Sequence, residues 1–146
     1  MPSSLEFGNT LYAFYPSGAL QAIRRFNDDG ELEGSGDLPA VVKFREDGSV
    51  IYHKWYNRSM LHRWGKPAVI HYDEQGRPRK EIYYLAGEKH RIDGPAYIVR
   101  YPSGQPLKVE YYCLDQLHRS KGPAYIEYAE DGEVLWEASY LRGEAL

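Results

Sequence analysis

The chain has a single cysteine, Cys113, among its 146 residues. One cysteine excludes an internal disulfide and a zinc site built from a cysteine cluster. No apolar run approaches the roughly 20 residues that a membrane helix needs. The start, MPSSLEFGNTLYAFY, also lacks the charged and apolar regions of a secretory signal. These absences predict a cytoplasmic protein without a transmembrane segment.

The chain also lacks a strong excess of either sign of charge. The chain has 18 Lys and Arg against 21 Asp and Glu, a formal net charge of −3, and no block of like charge. Such a balance disfavours an extended nucleic acid as partner. The phosphate-binding loop, the H-E-x-x-H zinc motif and the G-x-S-x-G nucleophile motif are all absent. The sequence therefore predicts a protein that is not an enzyme and has neither a cofactor nor a metal site.

Aromatic and turn-forming residues are abundant instead. The chain has 14 Tyr, 4 Phe and 3 Trp, together with 14 Gly and 9 Pro. Tyrosine, phenylalanine and tryptophan favour strands, whereas glycine and proline favour tight turns. This composition indicates β-structure in preference to helix.

The sequence repeats itself with a step of 28 residues. The step is kept by a proline, a glycine, a tyrosine and a His-Arg pair: Pro39, Pro67, Pro95 and Pro123; Gly48, Gly76, Gly104 and Gly132; Tyr56, Tyr84, Tyr112 and Tyr140; His62-Arg63, His90-Arg91 and His118-Arg119. A degraded unit spans residues 11–38, and four further units span 39–66, 67–94, 95–122 and 123–146. We expect all of them to form a single domain, residues 1–146.

Each unit contains two runs whose apolar residues alternate with period 2, bounded by Gly and Pro. This pattern is typical of strands. It predicts an all-β fold, an antiparallel meander of about ten strands built from 28-residue β-hairpins, in an elongated sheet that is twisted or curled. Whether the sheet is open, curled or closed is not decided by the pattern. In the third unit the aromatic residue comes one place late, at Tyr101, which predicts a local β-bulge.

Aromatic residues stand on both predicted faces of the sheet. Strand alternation separates Tyr56, Tyr84, Tyr112 and Tyr140 from Trp55, Tyr83 and Tyr111, and we expect the second set to lie near Val41, Val69, Tyr97 and Tyr125. Ten strands about 20 Å long give a face of roughly 950 Å², enough for one side of an interface of about 800 Å² per partner. The predicted protein-binding residues are Trp55, Tyr83, Tyr111, Tyr97 and Tyr125. A homodimer and a closed sheet are the alternatives.

Two segments carry a family resemblance. DEQGRPRKEIYYLAGEKHRIDGPAYI and PSGQPLKVEYYCLDQLHRSKGPAYI resemble MORN-type repeats, in particular the variant found in bacterial and viral proteins, some of them described as antitoxins. The resemblance covers about residues 11–146. The classical repeat is shorter, and H-R-x-x-G-P-A here replaces its G-x-G segment. The resemblance implies an elongated antiparallel sheet that binds a partner, such as a toxin or a host protein, without enzymatic activity.

The His-Arg pairs allow two interpretations. In the first, His62, Arg63, His90, Arg91, His118 and Arg119 form a row that binds a small anionic ligand such as a nucleotide. In the second they close the turn between units: Arg stacks on the tyrosine of the preceding unit or pairs with Glu, and His bonds a turn carbonyl. A metal site is not expected, because corresponding residues of adjacent hairpins lie near 10 Å apart whereas zinc ligands lie about 2 Å from the metal.

Overall fold

The computed structural model describes residues 3–146. Met1 and Pro2, at the start of the predicted domain, lie outside the described residues. The fold is all-β, as predicted. Residues 3–146 include no helix that is long and apolar enough to cross a membrane.

The described residues form 19 strands. In chain order they are β1 Ser4–Phe7, β2 Thr10–Phe14, β3 Leu20–Arg25, β4 Val41–Phe44, β5 Val50–Lys54, β6 Tyr56–Asn57, β7 Met60–Leu61, β8 Val69–Tyr72, β9 Pro78–Ile82, β10 Tyr84–Leu85, β11 Glu88–Lys89, β12 Tyr97–Arg100, β13 Pro106–Glu110, β14 Tyr112–Cys113, β15 Gln116–Leu117, β16 Tyr125–Tyr128, β17 Val134–Ala138, β18 Tyr140–Leu141 and β19 Glu144–Ala145. Eleven of them form one antiparallel sheet in the order β1-β2-β3-β4-β5-β8-β9-β12-β13-β16-β17. The predicted meander is confirmed, and the sheet is open, with β1 and β17 at its edges.

The remaining eight strands form four short hairpins, β6-β7, β10-β11, β14-β15 and β18-β19. We expected each second run of a unit to be one continuous strand, and this was wrong. The run breaks at the aromatic residue that precedes β6, β10 or β14. A tight turn joins the two strands of each short hairpin. In the turn between β10 and β11, for example, Ala86 (φ 47°) and Gly87 (φ 83°) take the left-handed conformation.

A β-bulge interrupts the first hairpin of every unit. In the third unit it lies between Val99 and Arg100, as predicted from the late Tyr101. The same irregularity occurs at Lys43/Phe44 and His71/Tyr72, and also in the degraded unit and in the last unit. It is therefore a constant part of the unit, which adds local twist to each hairpin.

Strand pairing fixes the two faces of the sheet, because paired residues point to the same side. One side, the aliphatic face, carries a continuous row that runs from β4 to β16: Val42, His53, Ile70, Glu81, Ile98, Val109 and Ile126. Ile98, Val109 and Ile126 are each 7% exposed and form a buried cluster, against which Tyr83, Tyr111 and Tyr128 pack. The opposite face also has buried apolar residues, Val41, Val69 and Ile82. The core of this single-layer sheet is thus built from its own side chains.

The predicted grouping of the aromatic residues was wrong. Tyr83 and Tyr111 pack with the aliphatic face, whereas Tyr97 pairs with Ile82 and Glu110 on the opposite face. Because Tyr111 follows Glu110 directly, strand alternation points it away from the face of Tyr97. Sequence alternation predicts the facing within each strand, but the relative facing of two strands depends on their register.

Candidate functional site

The face opposite the core, here called the lysine face, carries two parallel rows of side chains. The turn-side row crosses eight neighbouring strands: Lys43, Tyr52, His71, Lys80, Val99, Lys108, Glu127 and Trp136. The hairpin-side row is Arg24, Val41, Lys54, Val69, Ile82, Tyr97, Glu110, Tyr125 and Ala138. At about 4.8 Å per strand, the turn-side row is roughly 34 Å long.

Most lysines of this face have an aromatic ring, and not a carboxylate, next to their ammonium group. The Lys54 ammonium lies 4.4 Å from the centre of the Tyr52 ring. Tyr97 has three ammonium groups around its ring, those of Lys108 at 5.1 Å, Lys89 at 5.6 Å and Lys80 at 5.9 Å. Lys89 belongs to the short hairpin β10-β11, so that hairpin leans towards the lysine face. Contacts of this kind attract a cation without neutralising its charge.

Carboxylates occupy the other end of the lysine face, on β13 and β16. Glu110 accepts a hydrogen bond from the Tyr112 hydroxyl at 2.9 Å and lies 3.5 Å from the Lys108 ammonium. Glu127 accepts a hydrogen bond of 2.5 Å from the Tyr125 hydroxyl, and this bond raises the pKa of Tyr125 to about 12. Burial, followed by the bond to Glu110, raises the pKa of Tyr112 above its ordinary value. The face is therefore cationic at one end and acidic at the other.

At the cationic end, burial and neighbouring positive charges lower the pKa of His71 and of Lys54. Burial lowers the pKa of His71 below its ordinary value, and the ammonium groups of Lys80 and Lys54 lower it further. Burial also lowers the pKa of Lys54, with a further contribution from Lys43. Burial and neighbouring like charge both disfavour the protonated form. An anion placed here would relieve this repulsion.

Of the predicted partner-binding residues, Tyr97 and Tyr125 lie on the lysine face, in its hairpin-side row and on either side of Glu110. Trp55, Tyr83 and Tyr111 lie elsewhere. Trp55 is 9% exposed, and its indole nitrogen donates a hydrogen bond to the Asp37 carbonyl at 3.0 Å. The geometry thus divides the predicted set between a surface and a core.

Each of those three aromatic rings is covered by the arginine of a His-Arg pair. The guanidinium carbons of Arg63, Arg91 and Arg119 lie 3.7, 4.0 and 4.0 Å from the centres of the Trp55, Tyr83 and Tyr111 rings. The same arginines donate hydrogen bonds of 3.1 Å to the carbonyls of Pro67, Pro95 and Pro123. Stacking of each arginine on an aromatic ring is confirmed, but the ring is that of the arginine's own unit and not a tyrosine of the preceding one. Each arginine thus joins the ring of its own unit to the first residue of the next.

The histidines link the units at a second point. Nδ1 of His62, His90 and His118 accepts a hydrogen bond from the backbone N–H of Ala86, Leu114 and Arg142, at 2.9, 3.1 and 3.1 Å. The predicted bond from the histidine to a turn carbonyl was wrong. The histidine accepts instead, from the backbone N–H of a residue in the left-handed conformation in the turn of the next short hairpin. At the residues proposed for a small anion, the side chains already make contacts within the chain, and that alternative remains a prediction.

Shallow grooves separate successive joints, which are residues 62–67, 90–95 and 118–123. A groove of about 280 Å³ lies between the first two and is lined in part by Tyr83, Leu85, Trp64 and Ile92. Trp64 and Ile92 are 76% and 92% exposed. These two apolar side chains stand at positions where the units differ, since Ser120 takes the same place in the third joint.

Residues 3–146 contain no group of three or more His, Cys, Asp or Glu side chains placed to hold a metal ion. Comparison of the chain with known protein families, with curated proteins and with solved structures finds no match. The resemblance to MORN-type repeats therefore remains a prediction, and the candidate site rests on its geometry alone.

Sequence reasoning missed the lysines of this face. Lys43, Lys54 and Lys80 belong to three different positions of the unit, and of the three only Lys80 recurs one step later, as Lys108. Strand register alone brings them together. A usable signal was nevertheless present: all three lie within strand-like runs, where a lysine on the solvent side is expected to lie beside the aromatic residues of the neighbouring strands.

Proposed function

We propose that this chain is a non-enzymatic binding protein that engages a protein partner through the lysine face of its sheet. The observation that carries the proposal is the composition of that face. It combines Tyr52, Tyr97 and Tyr125 with Lys43, Lys54 and Lys80, which make none of the ion pairs found within residues 3–146. Tyrosine is among the residues that dominate binding energy at protein interfaces, and the lysines beside it supply charge that complements an acidic partner.

The dimensions of the face support a protein ligand over a small molecule. The turn-side row extends roughly 34 Å across eight strands, whereas small-molecule sites are concave pockets that enclose most of their ligand. Trp136, at the end of this row, is 61% exposed. An aromatic side chain of that size on the lysine face offers an anchor for a partner.

The two remaining features of the proposal come from the sequence. The absence of catalytic motifs supports a non-enzymatic role, and the single cysteine supports the cytoplasm as the setting. The resemblance to MORN-type repeats makes a toxin or a host protein the kind of partner to seek.

The experiment is site-specific photo-crosslinking. A benzophenone amino acid replaces Val99, which lies between Lys80 and Lys108 in the turn-side row. A matched variant carries it at Gln75, an exposed turn residue. In extract from the cells that make the protein, we expect a discrete crosslinked species from position 99 that is absent from position 75 and is lost when Tyr97 is changed to Ala.

Two results would contradict the proposal. The first is equal crosslinking from both positions, or none from either. The second is a product whose mass corresponds to two copies of this chain, which would show that the lysine face serves homodimerisation instead. The Tyr97→Ala variant should retain the circular dichroism of the parent, so that loss of crosslinking reports the surface and not the fold.

A further inference from the structure

Five strands at one end of the lysine face carry a cluster of positive charge. This cationic patch consists of Arg24 on β3, Lys43 on β4, Lys54 on β5 and Lys80 on β9, with His71 on β8 between the last two. Arg24 and Lys54 flank Val41 in the hairpin-side row, and Lys43 and Lys80 belong to the turn-side row. Four strand spacings of about 4.8 Å give the patch a width of roughly 19 Å.

Within residues 3–146, Arg24, Lys43, Lys54 and Lys80 make no ion pair with a carboxylate. Within residues 3–146 the ion pairs are made by other basic residues: Arg63, Lys66, Arg77, Arg79, Arg91, Arg100 and Lys108. Arg24 is exposed. This concentration occurs in a chain whose formal net charge is −3, so the positive charge is gathered on this patch in spite of the overall balance. Uncompensated like charges disfavour the compact state.

Carboxylates border the patch and limit the shape of the anion that would fit. Glu46 and Asp47 stand in the turn after β4, and Asp73 and Glu74 stand in the turn after β8. Beyond β9, the lysine face reaches Glu110, which is paired with Lys108, and then Glu127. A long polyanion that continued past the patch would meet this negative charge, whereas a short anionic segment would not. An extended peptide covers about 3.3 Å per residue, so about six residues span the patch.

We propose that the cationic patch binds an acidic segment, about six residues long and extended, in the protein partner. The inference rests on the proposed function and deepens it by stating the chemistry of the partner. Carboxylates of the segment pair with Lys43, Lys54 and Lys80, and its intervening side chains contact the Tyr52 ring. Complementary charge of this kind speeds association and selects the partner.

The test is a titration with a fluorescein-labelled octaglutamate peptide, followed by fluorescence anisotropy in low and in high salt. The variant is Lys43→Gln, Lys54→Gln, Lys80→Gln. The matched control, Lys66→Gln, Lys121→Gln, Arg142→Gln, removes three exposed cations outside the patch. If each surface lysine contributes a factor of roughly two to three, the patch variant should bind at least about tenfold more weakly. The control should stay within about twofold, and salt should weaken binding to the parent protein.

Three outcomes would overturn the inference. They are no binding of the peptide, equal losses in the two triple variants, and tighter binding of tripolyphosphate or of a twelve-residue oligothymidylate through the same lysines. The last result would assign the patch to a phosphate ligand.

The crosslinking experiment at position 99 separates this inference from the proposed function. Persistence of the crosslinked species in the folded patch variant would leave the protein-binding function standing and reject the acidic segment. Binding of octaglutamate without any crosslinked species would reject the function and keep the patch as an anion site. The circular dichroism spectrum of the patch variant should match that of the parent, so that a loss of peptide binding reports the removed lysines and not unfolding.

Discussion

The joint between the third and fourth units depends on one arginine, and its removal provides a quantitative test of the repeat architecture. Arg119 stacks its guanidinium 4.0 Å from the centre of the Tyr111 ring and donates a 3.1 Å hydrogen bond to the Pro123 carbonyl. The ring belongs to one unit and the carbonyl to the next. We expect Arg119→Ala to destabilise the fold more than any exposed cation of the same joint.

The magnitude follows from the two contacts. A partly desolvated cation–π contact contributes about 1 kcal/mol, and a hydrogen bond from a charged donor contributes about 1.5 kcal/mol. Rotamer freedom regained by the unfolded side chain offsets up to about 1 kcal/mol of this sum. The expected loss is therefore about 2 kcal/mol. At roughly 3 °C per kcal/mol for a chain of this length, the thermal midpoint should fall by about 6 °C.

The assay is urea and thermal denaturation followed by far-ultraviolet circular dichroism. Lys121→Ala is the matched control, because Lys121 is exposed in the same joint and makes none of the ion pairs found within residues 3–146. It should change the free energy of unfolding by less than about 0.5 kcal/mol. Arg119→Lys should recover only part of the loss, since an ammonium lacks the planar fork that stacks and donates together.

A loss in Arg119→Ala no larger than that of Lys121→Ala would refute the reasoning. A double-mutant cycle with Tyr111→Phe and Tyr111→Ala sharpens the result. Stacking predicts that Phe preserves most of the coupling to Arg119 and that Ala removes it. Coupling that requires the tyrosine hydroxyl would contradict the cation–π explanation.

Three further outcomes follow from the same geometry. Tyr111→Ala should cost about 3 kcal/mol in urea denaturation, because Tyr111 packs against the buried core, and partner capture would then be lost through unfolding. The free energy of unfolding should fall as the pH drops below about 6.5. The pKa of His71 is lowered in the folded state, so the unfolded chain binds the proton first, and this histidine contributes at most about 1.4 kcal/mol per pH unit. His71→Gln should flatten this slope, and an unchanged slope would contradict the prediction. Glu127→Gln should lower the pKa of Tyr125 from about 12, which an ultraviolet titration of the phenolate measures.

The 28-residue step was sufficient to predict the class of fold. Proline and glycine at fixed positions, with period-2 runs between them, specify an antiparallel meander, and the structure has one. The short hairpins were beyond the pattern, because a two-residue strand shows no period. Their turns also place residues other than glycine in the left-handed conformation, among them Arg58 and Ser59. Serine is a common turn residue, but arginine carries no turn signature in the sequence.

The facing of the aromatic residues could not be obtained from the sequence for a different reason. A shift of one residue in register moves every side chain of a strand to the other face. Tyr83 lies directly after Ile82, which pairs with Tyr97, so the ring of Tyr83 turns to the core side. The bulge in each hairpin adds one more residue to the count. Only the pairing of the folded chain resolves which aromatic ring is buried and which is displayed.

Two adjoining positions in the first strand of each unit differ in how closely the repeat keeps their residue type. On the aliphatic face one position of the unit is always a branched apolar residue: Val42, Ile70, Ile98 and Ile126. The adjoining position, which points to the lysine face, changes completely from unit to unit: Lys43, His71, Val99 and Glu127. Packing accounts for the first set, because each member fills the same space in the core. No structural requirement of the unit accounts for the second set, since the fold accepts a cation, an apolar side chain and an acid at the same place. A surface whose residues vary while the scaffold beneath them repeats can present a distinct pattern of charge to a partner. The His-Arg pair, constant in three joints, contacts the scaffold, and the recognition that we propose would use the side chains that differ from unit to unit.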